Sequence, residues 1–352
     1  MKSYFRKEID AIAGYTAGEQ PKIANLIKLN TNENPYPPSP AVAVALREFD
    51  IARLRRYPDP FADELRDIFA ADCNVKRENV IVGNGSDDLL TMCFRGFTSP
   101  EHPVAVFDPS YSLYPVLAAM QGAPVIKVAL EGNDFSYPAD ISSRTAGANL
   151  LVITRPNAPT GTVCPKSLVR KYCENFDGMV LIDEAYGDFA DDNCMDLATE
   201  YENVIVMRTF SKSCSMAGVR MGYAVSNTTV IEGLMKLKDS YNADMLSQIV
   251  AKANYLDKAY RNECIAAIRR DRELMRNDLL KLGFEVPASQ ANFLFAAHPA
   301  IEGKKLYQEL KNRGVLVRHF DKERISPYVR ITVGTREQME TLIDKIKEIL
   351  EA

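Results

Sequence analysis

At 352 residues the chain is long enough to bury sizeable cores in a large and a small domain, and 46% hydrophobic with 26% charged residues is the make-up of an ordinary globular enzyme. A formal net charge of −4 excludes a basic nucleic-acid face and a polybasic membrane anchor. Seven single cysteines (73, 93, 164, 173, 194, 214, 264) and three dispersed histidines (102, 298, 319) argue against a disulfide frame and a metal site.

The opening Met-Lys-Ser-Tyr-Phe-Arg-Lys-Glu lacks the apolar core of a secretion signal, and no run could span a bilayer, so a cytoplasmic location is expected. Residues 1–40 read as an N-terminal arm. Prolines at 35, 37, 38 and 40 remove backbone donors, and the asparagines from 30 to 34 suggest a segment pinned by side-chain hydrogen bonds.

A helix is expected over 41–49 and another, with apolar residues at 61, 65, 68 and 69, over 61–73. Then a short apolar strand runs into Gly83-Asn-Gly85, and Ser86 opens a helix with Asp87 and Asp88 in its first turn. Strand, glycine turn and helix N-terminus together leave free backbone N–H groups that suit an anion, although many such turns bind nothing.

Strands at 104–107, 125–129, 150–154, 179–182, 204–207 and 222–225 alternate with helical stretches near 112–121, 166–176 and 195–201. Short, nearly all-apolar strands separated by helices predict an α/β fold whose sheet is mostly parallel and covered by helices on both faces. Ligands of such sheets collect beyond the carboxyl ends of the strands. The chemistry-bearing residues fall there: Gly83–Ser86, 108–111, 155–161, 183–186 and 209–212.

After residue 243 the texture changes. One long helical region is expected over 246–282, then a strand near 291–297, a helix 303–312, strands 315–318 and 328–333 and a charged amphipathic helix 335–350. This predicts a large domain over 41–245 and a smaller α+β domain over 246–352, entered by the long helix.

Lys212 stands among the hydroxyls of Thr209, Ser211, Ser213 and Ser215, with Arg220 eight residues on. A lysine attacks carbonyls only when unprotonated, which requires desolvation or neighbouring cations. Hydroxyls and an arginine suit a phosphate. A ligand with both a carbonyl and a phosphate describes pyridoxal 5′-phosphate (PLP), held by lysine as a Schiff base; a surface loop with a solvated lysine would share the local pattern.

Asp183 ends an apolar strand, where a carboxylate is costly unless paired. It suits a pyridinium nitrogen, or alternatively a helix cap. Tyr186, three residues on, could donate to the cofactor's phenolic oxygen, or pack at the core edge. Tyr111 could stack on a flat ring, or simply pack. In Arg155-Pro-Asn-Ala-Pro-Thr-Gly161, Asn157 is the one neutral side chain able to bond a ring substituent. Arg318 and Arg330 lie on otherwise apolar strands and need an anion, either a protein carboxylate or a substrate carboxylate or phosphate; two such arginines favour the substrate.

These residues in this order resemble the class I/II (fold-type I) PLP-dependent aminotransferases. The likeness rests on Leu29-Asn-Thr-Asn-Glu-Asn-Pro-Tyr, Arg56-Tyr-Pro-Asp, Gly83-Asn-Gly-Ser-Asp, Pro156-Asn-Ala-Pro-Thr-Gly, Asp183-Glu-Ala-Tyr, Thr209-Phe-Ser-Lys-Ser, Ala217-Gly-Val-Arg-Met-Gly-Tyr, Ala291-Asn-Phe and Arg330-Ile-Thr-Val-Gly-Thr-Arg. The first and last of these, with Arg56-Tyr-Pro, point to the branch of the family acting on histidinol phosphate.

The resemblance implies that Lys212 binds the cofactor and carries the proton to and from the substrate carbon. Asp183 would pair with the pyridine nitrogen, Tyr186 with the phenolic oxygen, and Tyr111 would stack on the ring. The phosphate would be held by backbone at Gly85 and Ser86, with Asp87 beside them, and by Thr209 or Ser211 and Arg220. Such enzymes are homodimers with shared sites, and Tyr57 would reach the neighbouring subunit's cofactor phosphate. Tyr15, Asn32, Tyr57, Asn292, Arg318 and Arg330 would contact substrates: histidinol phosphate, glutamate and 2-oxoglutarate.

One departure stands out. The family usually has Asn immediately before Pro-Thr-Gly as partner of the phenolic oxygen, and here that position is Ala158. Either Asn157 takes the role from one residue back, which is the expectation, or Tyr186 carries it alone. Other readings compatible with the motifs are a broad aromatic aminotransferase, a threonine-phosphate decarboxylase and a catalytically silent PLP-binding module.

Overall fold

The computed structural model describes residues 2–351. Along the chain, the elements of the arm and first half are α1 (Lys7–Asp10), β1 (Ile27–Lys28), α2 (Pro40–Arg47), α3 (Asp63–Cys73), β2 (Val80–Gly83), α4 (Ser86–Phe97), β3 (Val104–Asp108), α5 (Leu113–Met120), β4 (Val125–Ala129) and β5 (Leu150–Thr154). Next come α6 (Lys166–Asn175), β6 (Met179–Asp183), α7 (Leu197–Glu200), β7 (Val204–Thr209), β8 (Gly222–Val225), α8 (Thr228–Met235), α9 (Met245–Leu256) and α10 (Lys258–Lys281). The chain ends with β9 (Phe293–Ala297), α11 (Gly303–Asn312), β10 (Val315–Leu316), β11 (Arg318–His319), β12 (Tyr328–Thr332) and α12 (Arg336–Leu350).

Seven strands form one sheet in the order β2-β8-β7-β6-β5-β3-β4. All neighbours are parallel except β8, which runs antiparallel to β2 and β7. Successive strand residues point to opposite faces. Accordingly Leu151, Ile153, Val180, Ile182, Val204 and Val206 pack into one core, and Leu150, Val152, Leu181, Ile205 and Met207 into another. Both faces are covered by helices, which is why these strands read as continuous apolar runs.

A three-stranded antiparallel sheet, β11-β12-β9, carries its own core with Met275 and Leu279 of α10, Leu306 of α11 and Leu342 and Ile346 of α12. The arm joins this part: β1 pairs in parallel with β10, and Leu29 is buried in the same core.

Several expectations are corrected. The region 246–282 is two helices, because Asp257 leaves the helical path and accepts the Tyr260 N–H as N-cap of α10. The run 315–318 is two short strands, pairing first with β1 and then with β12. Helix α8 is additional to the expected elements and is capped by Asn227 accepting from the Val230 N–H. No helix among the described residues is long and apolar enough to cross a membrane.

Candidate active site

The carboxyl ends of β2, β3, β5, β6 and β7 open on one side of the sheet, and the arm and the small sheet close over them. The cavity between has a volume of about 240 Å³. Its wall includes thirteen of the residues singled out from the sequence: Tyr15, Asn32, Ser86, Asp87, Tyr111, Asp183, Tyr186, Thr209, Ser211, Lys212, Arg220, Arg318 and Arg330. The first and last of them, Tyr15 and Arg330, lie more than three hundred residues apart in the chain.

Lys212 follows the end of β7. Its Nζ donates to the Thr31 carbonyl at 3.1 Å, and the Asn34 amide donates to the backbone carbonyls of Lys212 (3.1 Å) and Ser213 (3.3 Å). The arm therefore straps the lysine loop in place. Burial, reinforced by the Arg330 charge, pulls the Lys212 ammonium down from 10.5 to about 8.

Beside it lies an anion cradle. Helix α4 begins at Ser86 with no side-chain cap, so its first N–H groups are free to face a ligand. Arg220 Nη1 donates to Ser211 Oγ at 3.3 Å, and Thr209 Oγ1 donates to Ser211 Oγ at 3.2 Å. Arg220 Nη2 meets Asp87 Oδ2 at 3.2 Å. Gly85 has φ +77°, and a Cβ there would come within 2.7 Å of the Arg220 guanidinium. Only glycine lets the turn and the arginine approach this closely.

At the centre, Asp183 is 4% exposed and accepts from Tyr114 Oη at 2.7 Å and from the Ala185 N–H at 3.1 Å. Burial outweighs these donors and pushes the carboxyl from 3.8 up to about 6. A cationic partner would reverse that shift. Tyr186, buried, accepts from Asn32 Nδ2 at 2.8 Å, and burial raises its phenol above the ordinary value. Tyr111 meets Tyr15 edge-on, ring centroids 5.9 Å apart.

Across the cavity Arg318 and Arg330 are register partners on β11 and β12. The Phe320 ring lies 5.5 Å from the Arg318 guanidinium and 5.4 Å from that of Arg330. Arg330 Nη2 donates to the Asn30 carbonyl at 3.0 Å, while its buried Nε has no partner among the described residues. Among the described residues neither arginine has a carboxylate within salt-bridge distance. Burial holds Arg330 below its ordinary pKa.

Four expected residues are not on the wall. Gly85 lies directly behind Arg220. Asn292 is buried and donates to the Asn32 carbonyl at 3.0 Å. Tyr57 is 77% exposed and stacks on Tyr241 at 4.3 Å. Asn157 is a correction: it is 0% exposed, its amide donates to the Pro109 carbonyl (3.0 Å) and Thr160 Oγ1 (2.8 Å), and Ala158 and Pro159 stand at the wall in its stead. The rigid turn takes both its amide protons, while its buried Oδ1 has no partner among the described residues. Asn34 pins the arm, as expected of the asparagine cluster. Conversely, Tyr114 and Phe320 carry no role in the sequence; Tyr114 lies three residues after Tyr111, in the first turn of α5, and Phe320 is placed only by long-range packing.

A family model for "Aminotransferase class I and II" matches residues 24–346. The chain belongs to the class I and II aminotransferases. It is 40% identical to histidinol-phosphate aminotransferase 1 of Trichormus variabilis over 99% of this chain and 100% of that one. It is 42% identical to a histidinol-phosphate aminotransferase of Clostridium botulinum over 99% of both. The structure of the Sinorhizobium meliloti histidinol-phosphate aminotransferase in complex with pyridoxal-5′-phosphate superimposes with a TM-score of 0.90 at 21% identity, covering 100% of this chain and 98% of that one.

This aminotransferase depends on PLP, and its residues fit that group. The free N–H groups of α4 with Arg220 suit the phosphate, and Asp183, buried without a cation, suits a protonated ring nitrogen. Lys212, depressed to about 8, is the amine able to meet a carbonyl. When bound, PLP supplies the electron sink for a carbanion.

Proposed function

We propose that this aminotransferase converts L-histidinol phosphate and 2-oxoglutarate to imidazole-acetol phosphate and L-glutamate, a reaction of histidine biosynthesis in the cytoplasm. The observation that carries the reading is the pair Arg318 and Arg330. Two guanidiniums on adjacent strands, facing the cavity without a carboxylate, suit a phosphate on one substrate and the carboxylates of the other. The names borne by full-length relatives at about 40% identity agree with it.

In this reading Lys212 takes and returns the proton at the substrate carbon, which requires its neutral form. Asp183 keeps the ring nitrogen protonated, Tyr186 donates to the phenolic oxygen, and Tyr111 covers the ring. Ser86, Thr209, Ser211 and Arg220 hold the phosphate. Tyr15 closes the substrate side from the arm. Residues 41–245 form the large domain and 246–352 the small one, which brings the arginines to the site.

The same reading makes the protein a homodimer. Ile51, Leu54, Tyr57 and Phe61 form an exposed apolar stretch, between 50% and 77% exposed each, of a kind that marks an interface. Tyr57 then reaches the neighbouring subunit's site.

The test is an absorbance titration of the PLP-loaded protein with histidinol phosphate, phenylalanine and glutamate separately. Loss of the cofactor band at far lower histidinol phosphate than phenylalanine is expected. An equal or better response to phenylalanine would replace the assignment with an aromatic aminotransferase.

A further inference from the structure

Asn32 occupies a left-handed backbone conformation, φ +57°, and is held at every polar group. Its N–H donates to Thr332 Oγ1 at 3.0 Å, its carbonyl accepts from Asn292 Nδ2 at 3.0 Å, and its Oδ1 accepts from Thr332 Oγ1 at 3.2 Å. Its remaining group, Nδ2, donates to Tyr186 Oη at 2.8 Å. The amide orientation follows from Thr332, which is 2% exposed: reversing the amide would leave the Thr332 proton without an acceptor among the described residues.

A phenol has one proton to give and lone pairs with which to accept. Since Tyr186 accepts from Asn32, its own proton must point elsewhere, and no protein acceptor for it occurs among the described residues. Tyr186 lines the cavity, so the open direction is the cavity. The usual second donor to the cofactor's phenolic oxygen is replaced by Ala158, and Asn157 is tied to Pro109 and Thr160. Of Asn157, Ala158 and Tyr186, the residues expected at that oxygen, Tyr186 alone keeps a donor facing the cavity, and its proton's direction decides whether it gives that oxygen a hydrogen bond.

We propose that Asn32 is a positioning residue that compensates for Ala158: by donating to Tyr186 Oη it commits the single phenol proton of Tyr186 to the cofactor's phenolic oxygen. This rests on the reading of the cavity as a PLP site. It assigns the arm a part in the chemistry, acting through Tyr186 rather than on the substrate. The three other hydrogen bonds of Asn32 make it a fixed support, as such a role requires.

The test is a double-mutant cycle read by pH titration of the bound cofactor's absorbance in wild type, Asn32→Asp, Tyr186→Phe and the double variant. Aspartate keeps the size of Asn32 and the acceptor for Thr332, but it accepts from Tyr186 and turns the phenol proton away. An oxygen anion that loses its donor holds a neighbouring proton more tightly. The spectral midpoint should therefore rise by about 0.5–1 pH unit in Asn32→Asp and likewise in Tyr186→Phe. In the Tyr186→Phe background Asn32→Asp should add less than about a third of that shift. Equal shifts in both backgrounds would overturn the proposal, because a new charge or a loosened arm acts without Tyr186. If the aspartate does not fold, Asn32→Ala in the same cycle should give a smaller rise that vanishes in the phenylalanine background, and no shift in either background overturns the proposal. Wild-type protein that shows no cofactor band with PLP would overturn the underlying reading of the cavity instead.

Discussion

Tyr114 Oη lies 2.7 Å from Asp183 Oδ2, a neutral donor against a carboxylate that burial has raised to about 6. Without a cation beside it, the ionised carboxylate is a stability cost. Below the unfolded value of 3.8 the group is protonated in both states and costs nothing; between 3.8 and about 6 the folded state holds more protons, so stability falls as pH rises. Above 6 the loss is complete, about 3 kcal/mol for a shift of roughly two units.

Asp183→Asn should therefore stabilise the cofactor-free protein at pH 8 by about 2 kcal/mol, after roughly 1 kcal/mol for the acceptor it loses to Tyr114 or Ala185. At pH 4 the gain should disappear, and transamination should be largely lost at any pH. Urea unfolding of variant and wild type at the two pH values decides the matter; a gain over wild type no larger at pH 8 than at pH 4 contradicts the burial argument.

Lys212 titrates in the opposite sense. Its pKa falls from 10.5 to about 8, so the neutral amine is abundant well below the range of a surface lysine. In the cofactor-free protein, trapping of Lys212 by a small aldehyde and borohydride, followed by peptide mapping, should rise with pH about a midpoint near 8. Arg330 is the first charge contributing to the depression, so Arg330→Met should move that midpoint upward. An unchanged midpoint would assign the whole effect to burial.

Much of this arrangement is legible in the chain itself. The apolar runs at β5, β6 and β7 are continuous because both faces of the sheet are covered, and a residue that breaks such a run at its carboxyl end, as Asp183 does, is marked as chemical. Glycine at 85 and the hydroxyls around Lys212 are likewise local signals. What stays hidden is contact across the chain. Asn32 meets Tyr186 from 154 residues away, and Tyr114 meets Asp183 from 69 away; neither follows from spacing. The error at Asn157 has the same origin: its neighbours Pro109 and Thr160 take its amide, and one of them lies 48 residues distant. The break at Asp257 is ambiguous in the sequence for a simpler reason, since aspartate both continues a polar helix face and caps a new helix.

Arg318 and Arg330 offer a test of what the far side of the cavity recognises. Charge-assisted hydrogen bonds contribute about 1.5–3 kcal/mol each, and lysine cannot reproduce the planar fork. Arg330→Lys should raise the KM for histidinol phosphate by about 10–100-fold, with a smaller change in kcat. Arg318→Lys should act in the same direction. Removing the shared aromatic support in Phe320→Ala should weaken both, giving a smaller rise of about 2–5-fold from the lost cation–π contact. Steady-state kinetics on the three variants would show it, and a KM for histidinol phosphate indifferent to both arginines would place its phosphate elsewhere.

Tyr57 tests the assembly. It is 77% exposed, stacked on Tyr241 and absent from the cavity wall of its own chain, which suits a side chain that serves a neighbour. Lys212→Ala should be inactive because the amine is gone, and Tyr57→Ala should lose activity at limiting PLP because phosphate binding weakens. A mixed dimer of the two holds one site with both residues intact and one with neither. Equal co-expression with distinct tags should therefore restore about a quarter of wild-type sites, since half the dimers are mixed and each carries one good site of two. Activity at low PLP in the doubly tagged fraction measures this directly. A mixed dimer no more active than its parents would mean that each subunit builds its site alone, and Tyr57 would then belong to the interface and not to the cofactor.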